Sequence, residues 1–428
     1  MDLKTISIPV EEEFFDKAIH WAAGFPFSCV LDGNKYSVLN NPFRSIVAVG
    51  FSQIAEDNWE ESIRLKRPDA WWFGYLGYDL LKGKFDQKND SRPVFMDFPS
   101  FCFFEAMAVI ERTESEIRVH HSNPEDILLS IRSHSPLPEV FPGLKLDFES
   151  ASSKDTYFSN VWNVQDQIRE GNVYEVNLCQ YFQAKADQDG LSFFLNQNKA
   201  FPMPFAGWLK AGDLEIASGS PERYLKRDGD SLISQPIKGT AKRGKTPEED
   251  IAQKQALLHS EKERAENMMI VDLVRNDLAR VSETGTVEVE EMFGIYSFPS
   301  VFQMISTIRS RLRNDLDSVD AIRSSFPMGS MTGAPKEEVM NCIRKLETHR
   351  RGAFSGAMGY FGPGNEFDFN VLIRSLFINH SNQSCGFAVG SAITIDSIAE
   401  DEWDECKTKA SSILSLCGSS WEELTVDR

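Results

Sequence analysis

Two segments of the chain carry carboxylates at spacings suited to a hard cation. In the last helical stretch, opening at Ser397, Glu402, Glu405 and Lys409 stand at i, i+3 and i+7, which is one helix face. Trp403, Cys406, Ala410, Ile413 and Leu414 form the opposite, apolar face. Glu263 and Glu266 repeat the i, i+3 spacing in an earlier helix. Brought together, two such faces would suit Mg²⁺, which takes carboxylate oxygens and keeps waters and substrate oxygens as its other ligands. The alternative is two solvated faces in an acid-rich chain. Zinc is excluded, because the seven histidines form no H-E-x-x-H and no Cys/His cluster at ligand spacing.

Two glycine-rich segments and one lysine add to this set. Phe326–Lys336 (FPMGSMTGAPK) runs into a helix with Val339, Ile343 and Leu346 on its apolar side, with Pro335 expected at the first helical position. Gly329 and Gly333 let backbone approach closely, and the N–H groups of the first turn favour an anion. The segment reads equally as an anion site or as a structural loop. Gly239–Thr246 satisfies G-x-x-x-x-G-K-[ST] in full, between a strand and a helix. Its would-be acidic partner, Asp272, lies inside a helix, and the neighbouring strands look hairpin-linked, whereas a phosphate loop needs parallel βαβ units. Lys238 ends a strand in QPIKGT; among apolar and small neighbours a lysine can lose some of its proton affinity and become a nucleophile.

The elements that must position these residues follow from hydrophobic alternation and turn chemistry. The first 150 residues read as strands, with a turn at Asp32-Gly33, a second at Thr113–Ser115 and a Pro-rich linker at Ser135–Pro142. Beyond it, helices are expected from Lys154 to Gly171, after Thr246, after Ser260 and from Ser397 to Leu416, the last three opening with capping boxes. Residues 353–392 read as a three-stranded antiparallel meander. Two regions are expected, 1–150 and 151–428, intertwined in one unit of α+β class. With 45 basic and 64 acidic residues the formal charge is −19, which argues against nucleic-acid and anionic-membrane partners. No run approaches 18 apolar residues, so no membrane span is expected. Seven cysteines without a C-x-x-C suit reduced thiols in the cytoplasm.

Taken in order, SGSPERYL, QPIKGTAKRG, KERAENMMIVDLVRNDLARV, FPMGSMTGAPK, RRGAFSGAMGYFG, VLIRSL and VGSAITIDS with the final helix resemble the chorismate-utilising enzymes, the family of anthranilate synthase component I. The match runs through residues 154–415, with a looser one at GYLGYDLL. The resemblance implies a two-lobed antiparallel β-sandwich core with helices outside. Lysine in PIKGT, where anthranilate synthases carry alanine, resembles the branch that forms 4-amino-4-deoxychorismate. It implies that the Lys238 amine attacks C2 of chorismate while the C4 hydroxyl leaves, after which ammonia enters at C4. Glu222 would protonate the departing hydroxyl. Glu266, Glu402 and Glu405, with Glu263 nearby, would hold Mg²⁺ against the ring carboxylate. Arg374 and Tyr360 would hold the enolpyruvyl carboxylate. Gly390, Ser391, Ala392 and Lys409 would take the remaining carboxylate contacts, with Thr332 and Lys336 closing the pocket. The apparent phosphate loop becomes a coincidence of PIKGT-x-x-RG.

Two positions depart from the pattern. Gln303 stands where most relatives have a histidine associated with pyruvate elimination, and Glu175 stands where relatives often have glutamine. None of the cysteines lies in the tight glycine elbow of a glutaminase, so a separate glutamine amidotransferase subunit is the expected source of ammonia. Anthranilate synthase is the alternative within the family.

Overall fold

Alternating apolar side chains make long strands here, and the pleat sends each strand's two faces into different cores. A computed structural model describes residues 3–36, 40–52, 58–81, 90–135, 145–186, 188–299 and 301–426. Among them, two sheets of thirteen and nine strands dominate. Within the two sheets every described strand pairing is antiparallel except the short one between Thr425–Val426 and Glu149–Ser150. Cys29 and Leu31 of the strand Phe27–Asp32 join Phe73, Phe103 and Phe369 of the smaller sheet in the core between the sheets. Val30 turns the other way, into a second core where Tyr157, Val161, Phe193 and Ile413 come from helices covering the larger sheet. This is the α+β sandwich with outer helices.

The regions 1–150 and 151–428 share both sheets. Phe27–Asp32 pairs with Phe205–Ala211 in the larger sheet, and Trp72–Leu76 pairs with Ala357–Phe361 in the smaller. Most of the Pro-rich linker lies outside the described residues, as do residues 37–39 after the Asp32-Gly33 turn. On its other edge Phe27–Asp32 pairs with Ser45–Gly50, the next described strand in the chain. The hairpin turning at Thr113–Ser115 is present, between Ala108–Arg112 and Glu116–His121.

Residues 353–392 form four strands rather than three, divided between the sheets. Ala357–Phe361 and Phe367–Asn370 pair in the smaller sheet; Ser375–Asn379 and Ser384–Ile393 pair in the larger. The chain changes sheets at residues 371–374, and Arg374 takes a left-handed conformation there (φ 52°). Hydrophobic alternation does not distinguish one sheet from two, because both inner faces are apolar. Caps differ in detail as well. Thr246 and Ser260 each accept a backbone N–H, from Glu249 and Glu263. Pro335 precedes the helix Lys336–Leu346 instead of opening it, and the final helix, Ala399–Leu416, starts after Ile398 with no side-chain cap.

Candidate active site

The site forms where the strand Glu175–Lys185 of the larger sheet meets the edge strand Ile237–Lys242 of the smaller one. Glu175 is fixed by the glycine-rich segment. Gly333–Ala334 pairs with Val176 and Glu175, the Tyr174 N–H donates to the Ala334 carbonyl at 2.7 Å, and the Asn177 N–H donates to the Thr332 carbonyl at 2.8 Å. Gly333 has φ 138°, and a Cβ there would lie 2.0 Å from the Glu175 carbonyl oxygen, so glycine is required. Thr332 is fully buried and gives its own hydroxyl to the Met328 and Gly329 carbonyls.

Across from it, the Lys238 ammonium donates to Glu175 Oε1 at 2.6 Å. Burial pulls the lysine down, but the facing Glu175 and Glu266 carboxylates prevail and hold it above its ordinary value. This reverses the expectation of a proton-poor lysine, because two acidic side chains from distant segments surround it. Glu222 lies between the strands Leu214–Ser220 and Arg223–Asp228. Burial pushes its carboxyl up to about 7, against hydrogen bonds from the Ser330 side chain and the Ile237 backbone and against the Lys238 and Lys409 charges. A buried acid half-protonated near neutrality is suited to giving a proton to a leaving group.

The two acidic helix faces come together. Glu266 on the helix Glu261–Ala279 is raised to about 7 by burial, which outweighs the pull of Lys238. Glu263 and Glu402 are raised by burial and then by Glu405. Burial would raise Glu405 too, but Lys409, 2.6 Å away, holds it low. The Lys262 ammonium reaches across, 3.9 Å from Glu266 Oε1 and 3.8 Å from Glu402 Oε1. Ser397, read as a helix cap, instead donates its hydroxyl to Glu402 Oε1 at 2.8 Å. Among the described residues no three metal-ligating side chains already converge into a cage. The donor set nonetheless fits a hard divalent cation: Glu266 Oε1 is buried without a hydrogen-bond partner, and three of the four carboxylates are pushed up by burial, with Glu405 adding to Glu263 and Glu402.

The remaining candidates divide. Lys409 also donates to the Gly390 carbonyl at 2.7 Å, and the Ser391 hydroxyl shares a 2.8 Å hydrogen bond with the Tyr157 hydroxyl, so Gly390, Ser391 and Ala392 line the base of the final helix. Arg374 is held by its backbone: its carbonyl accepts from the Gly219 N–H and from Gln197 Nε2. Its guanidinium has no ion pair among the described residues and feels Glu405, while burial lowers it. Lys336 is not brought into the group. Its ammonium is committed to Asp277 at 2.6 Å and to the Ser325 carbonyl at 2.9 Å, because the helix after Pro335 starts against the helix Glu261–Ala279. Nor is Tyr360, whose ring packs on Trp71 and Phe73 beneath Arg44. Its strand pairs with Trp72–Leu76, and that pairing turns the ring to the N-terminal region.

Sequence reasoning passed over Lys262, Ser397 as a carboxylate partner, and Ser330. The available signals were the i, i+4 spacing of Lys262 to Glu266 and the place of Ser330 inside the glycine-rich segment.

The profile of the chorismate binding enzyme family matches residues 25–415. The chain belongs to that family. Among similar proteins, the probable chloroplastic aminodeoxychorismate synthase of Oryza sativa subsp. japonica is 41% identical over 79% of this chain, which spans 42% of the rice protein. Aminodeoxychorismate synthase component 1 of Escherichia coli (strain K12) is 39% identical over 80% of this chain and 75% of its own length. Anthranilate synthase component I from Streptococcus pneumoniae TIGR4 superposes with a TM-score of 0.75 at 25% identity, over 96% of this chain and 92% of that one. The chain thus spans less than half of the rice relative and three quarters of the bacterial one. As a chorismate binding enzyme it shows its family's sandwich, with the lysine, acid and carboxylate cluster gathered at the sheet junction.

Proposed function

We propose that this chain aminates chorismate at C4 to give 4-amino-4-deoxychorismate. The observation that carries the reading is the convergence of Lys238 with Glu222, an amine and an acid buried at the same junction, in a chorismate binding enzyme. In the first displacement the Lys238 nitrogen bonds to C2, both conjugated ring double bonds shift (C1=C2 to C1=C6 and C5=C6 to C4=C5), and the C4–O bond breaks as Glu222 gives its proton to the departing hydroxyl, releasing water. In the second, ammonia bonds to C4, both double bonds return to their first positions, and the C2–N bond breaks to restore Lys238. One hard substitution becomes two easier ones. Arg374 would take the enolpyruvyl carboxylate, for which its planar fork is suited. Lys409 and the backbone at Gly390–Ala392 would meet the other carboxylate. Glu263, Glu266, Glu402 and Glu405 would hold Mg²⁺, whose charge would neutralise and orient the ring carboxylate. Ammonia would come from a separate glutamine amidotransferase subunit. A cytoplasmic setting suits the seven cysteines, all buried and unpaired. Among the described residues no helix is long and apolar enough to cross a membrane.

The test is incubation with chorismate, Mg²⁺ and ammonium chloride, with products resolved by mass. Aminodeoxychorismate, lost in Lys238→Ala, is the expected outcome. Anthranilate with pyruvate would overturn the reading in favour of anthranilate synthase, which the lysine in PIKGT disfavours.

A further inference from the structure

We propose that Glu175 is the base that takes the proton from Lys238 before the lysine attacks. The inference rests on the covalent reading above. An ammonium has no lone pair, so the resting state of Lys238 cannot attack carbon, and its proton must move first. Glu175 Oε1 accepts a hydrogen bond from Lys238 Nζ at 2.6 Å, and the two residues are 1% and 8% exposed, so no bulk water stands nearer. The other acids facing Lys238 are placed less well. Glu263, Glu266 and Glu405 act on it through space, but none makes an ion pair with Lys238 within 4.0 Å, and Glu222 must keep its own proton for the leaving hydroxyl.

The rest of the geometry favours transfer. Glu175 Oε2 is buried with no hydrogen-bond partner, so among the described residues Lys238 alone hydrogen-bonds to the carboxylate. In a buried site, moving the proton turns two charges into two neutral groups, which recovers the desolvation cost of both against the attraction that holds the ammonium in the resting state. The backbone on either side of Glu175 is clamped by Gly333–Ala334, so the carboxylate keeps its aim. The step balances. An N–H bond of Lys238 breaks and an O–H bond forms on Oε1; the neutral amine attacks C2; after ammonia displaces it as a neutral amine, the proton returns from Glu175. Glutamine, which relatives often carry here, accepts a hydrogen bond but not a proton, so the inference concerns this chain.

The experiment is a single turnover with chorismate and Mg²⁺ but no ammonia, following the lysine adduct by intact-protein mass between pH 6 and 9. Glu175→Gln should bind chorismate as the wild type does by calorimetry, yet form the adduct roughly 10²–10⁴-fold more slowly at pH 7. Between pH 6 and 7, before Glu222 loses its proton, the variant's rate should climb about tenfold per pH unit as the neutral lysine fraction grows, whereas the wild type shows no such climb. Glu175→Asp, a second variant in case the amide does not fold, should keep the wild-type pH profile at a reduced rate. A wild-type rate and profile in Glu175→Gln, or a lysine-like climb in Glu175→Asp, would overturn the role of Glu175 alone. A wild type that forms no adduct would overturn the covalent reading beneath it.

Discussion

Two ion pairs are buried against the strand Glu175–Lys185, and they are built differently. In the first, Arg351 holds Glu347 through two hydrogen bonds, at 2.6 and 3.1 Å, and spends its other donors on the Met331 and Asn177 carbonyls. Glu347 also accepts from the Cys179 N–H at 3.0 Å and the Tyr181 hydroxyl at 2.5 Å. In the second, Lys238 and Glu175 share one hydrogen bond, and Glu175 Oε2 has no partner. The first pair is saturated and locks the strand to the segment after the helix Lys336–Leu346. The second is left with unused capacity where the candidate acid and metal carboxylates gather. Saturation marks a buried charge as structural; incomplete satisfaction marks it as available for chemistry.

This contrast is sharpest at the structural pair. Glu347→Ala strands the Arg351 charge and should cost about 3–5 kcal/mol, read by chemical denaturation. Lys238→Met should do the opposite, abolishing product while the protein stays folded by circular dichroism. A folded Glu347→Ala with wild-type stability would break the comparison.

The next effect is that of Glu222→Gln, which should lower turnover by roughly 10²–10⁴-fold with chorismate affinity kept. Glu222 is raised from its ordinary 4.5 to about 7, so its acid form is present below neutrality. Wild-type turnover should therefore fall as pH rises through 7, and the Gln variant should lack that limb. Between 4.5 and 7 the folded state keeps a proton that the unfolded chain has released, so this group favours folding increasingly as pH falls through that window. Gly333→Ala comes third. A methyl group aimed at the Glu175 carbonyl at φ 138° should cost about 1–3 kcal/mol and displace Glu175, lowering activity more than stability alone explains. The smallest effect belongs to Tyr360→Phe, whose ring faces Trp71 and Phe73; the KM for chorismate should not change. A large rise in KM would return Tyr360 to the site.

Much of the candidate site was legible through the resemblance, which draws together motif residues spread from Glu222 to Lys409. The pairs Glu263/Glu266 and Glu402/Glu405 follow from helix spacing, and the glycine-rich segment indicates close backbone approach. The sheet order was not legible. Residues 353–392 alternate as one meander would, yet they cross between sheets, since alternation records burial and not which partner strand does the burying. The partners of Lys336 and Tyr360 were not legible for a similar reason: a motif position says nothing about the direction in which a long side chain finds its partner.

By itself, the sequence determined the fold class, the membership in a chorismate binding family and the presence of Lys238, Glu222 and two acidic helix faces. Alternation and helix spacing give the class and the acidic faces, and the ordered motifs carry the resemblance that singles out Lys238 and Glu222. Only the tertiary structure decided that Lys238 meets Glu175, 63 residues before it, that Lys262 reaches Glu402 on another helix, that Glu222 is raised, and that Lys336 serves Asp277. The physical reason is that protonation and pairing depend on burial and on distance through space. Helix and strand geometry set the spacing of neighbours, but the packing of two sheets sets which distant charges share a pocket.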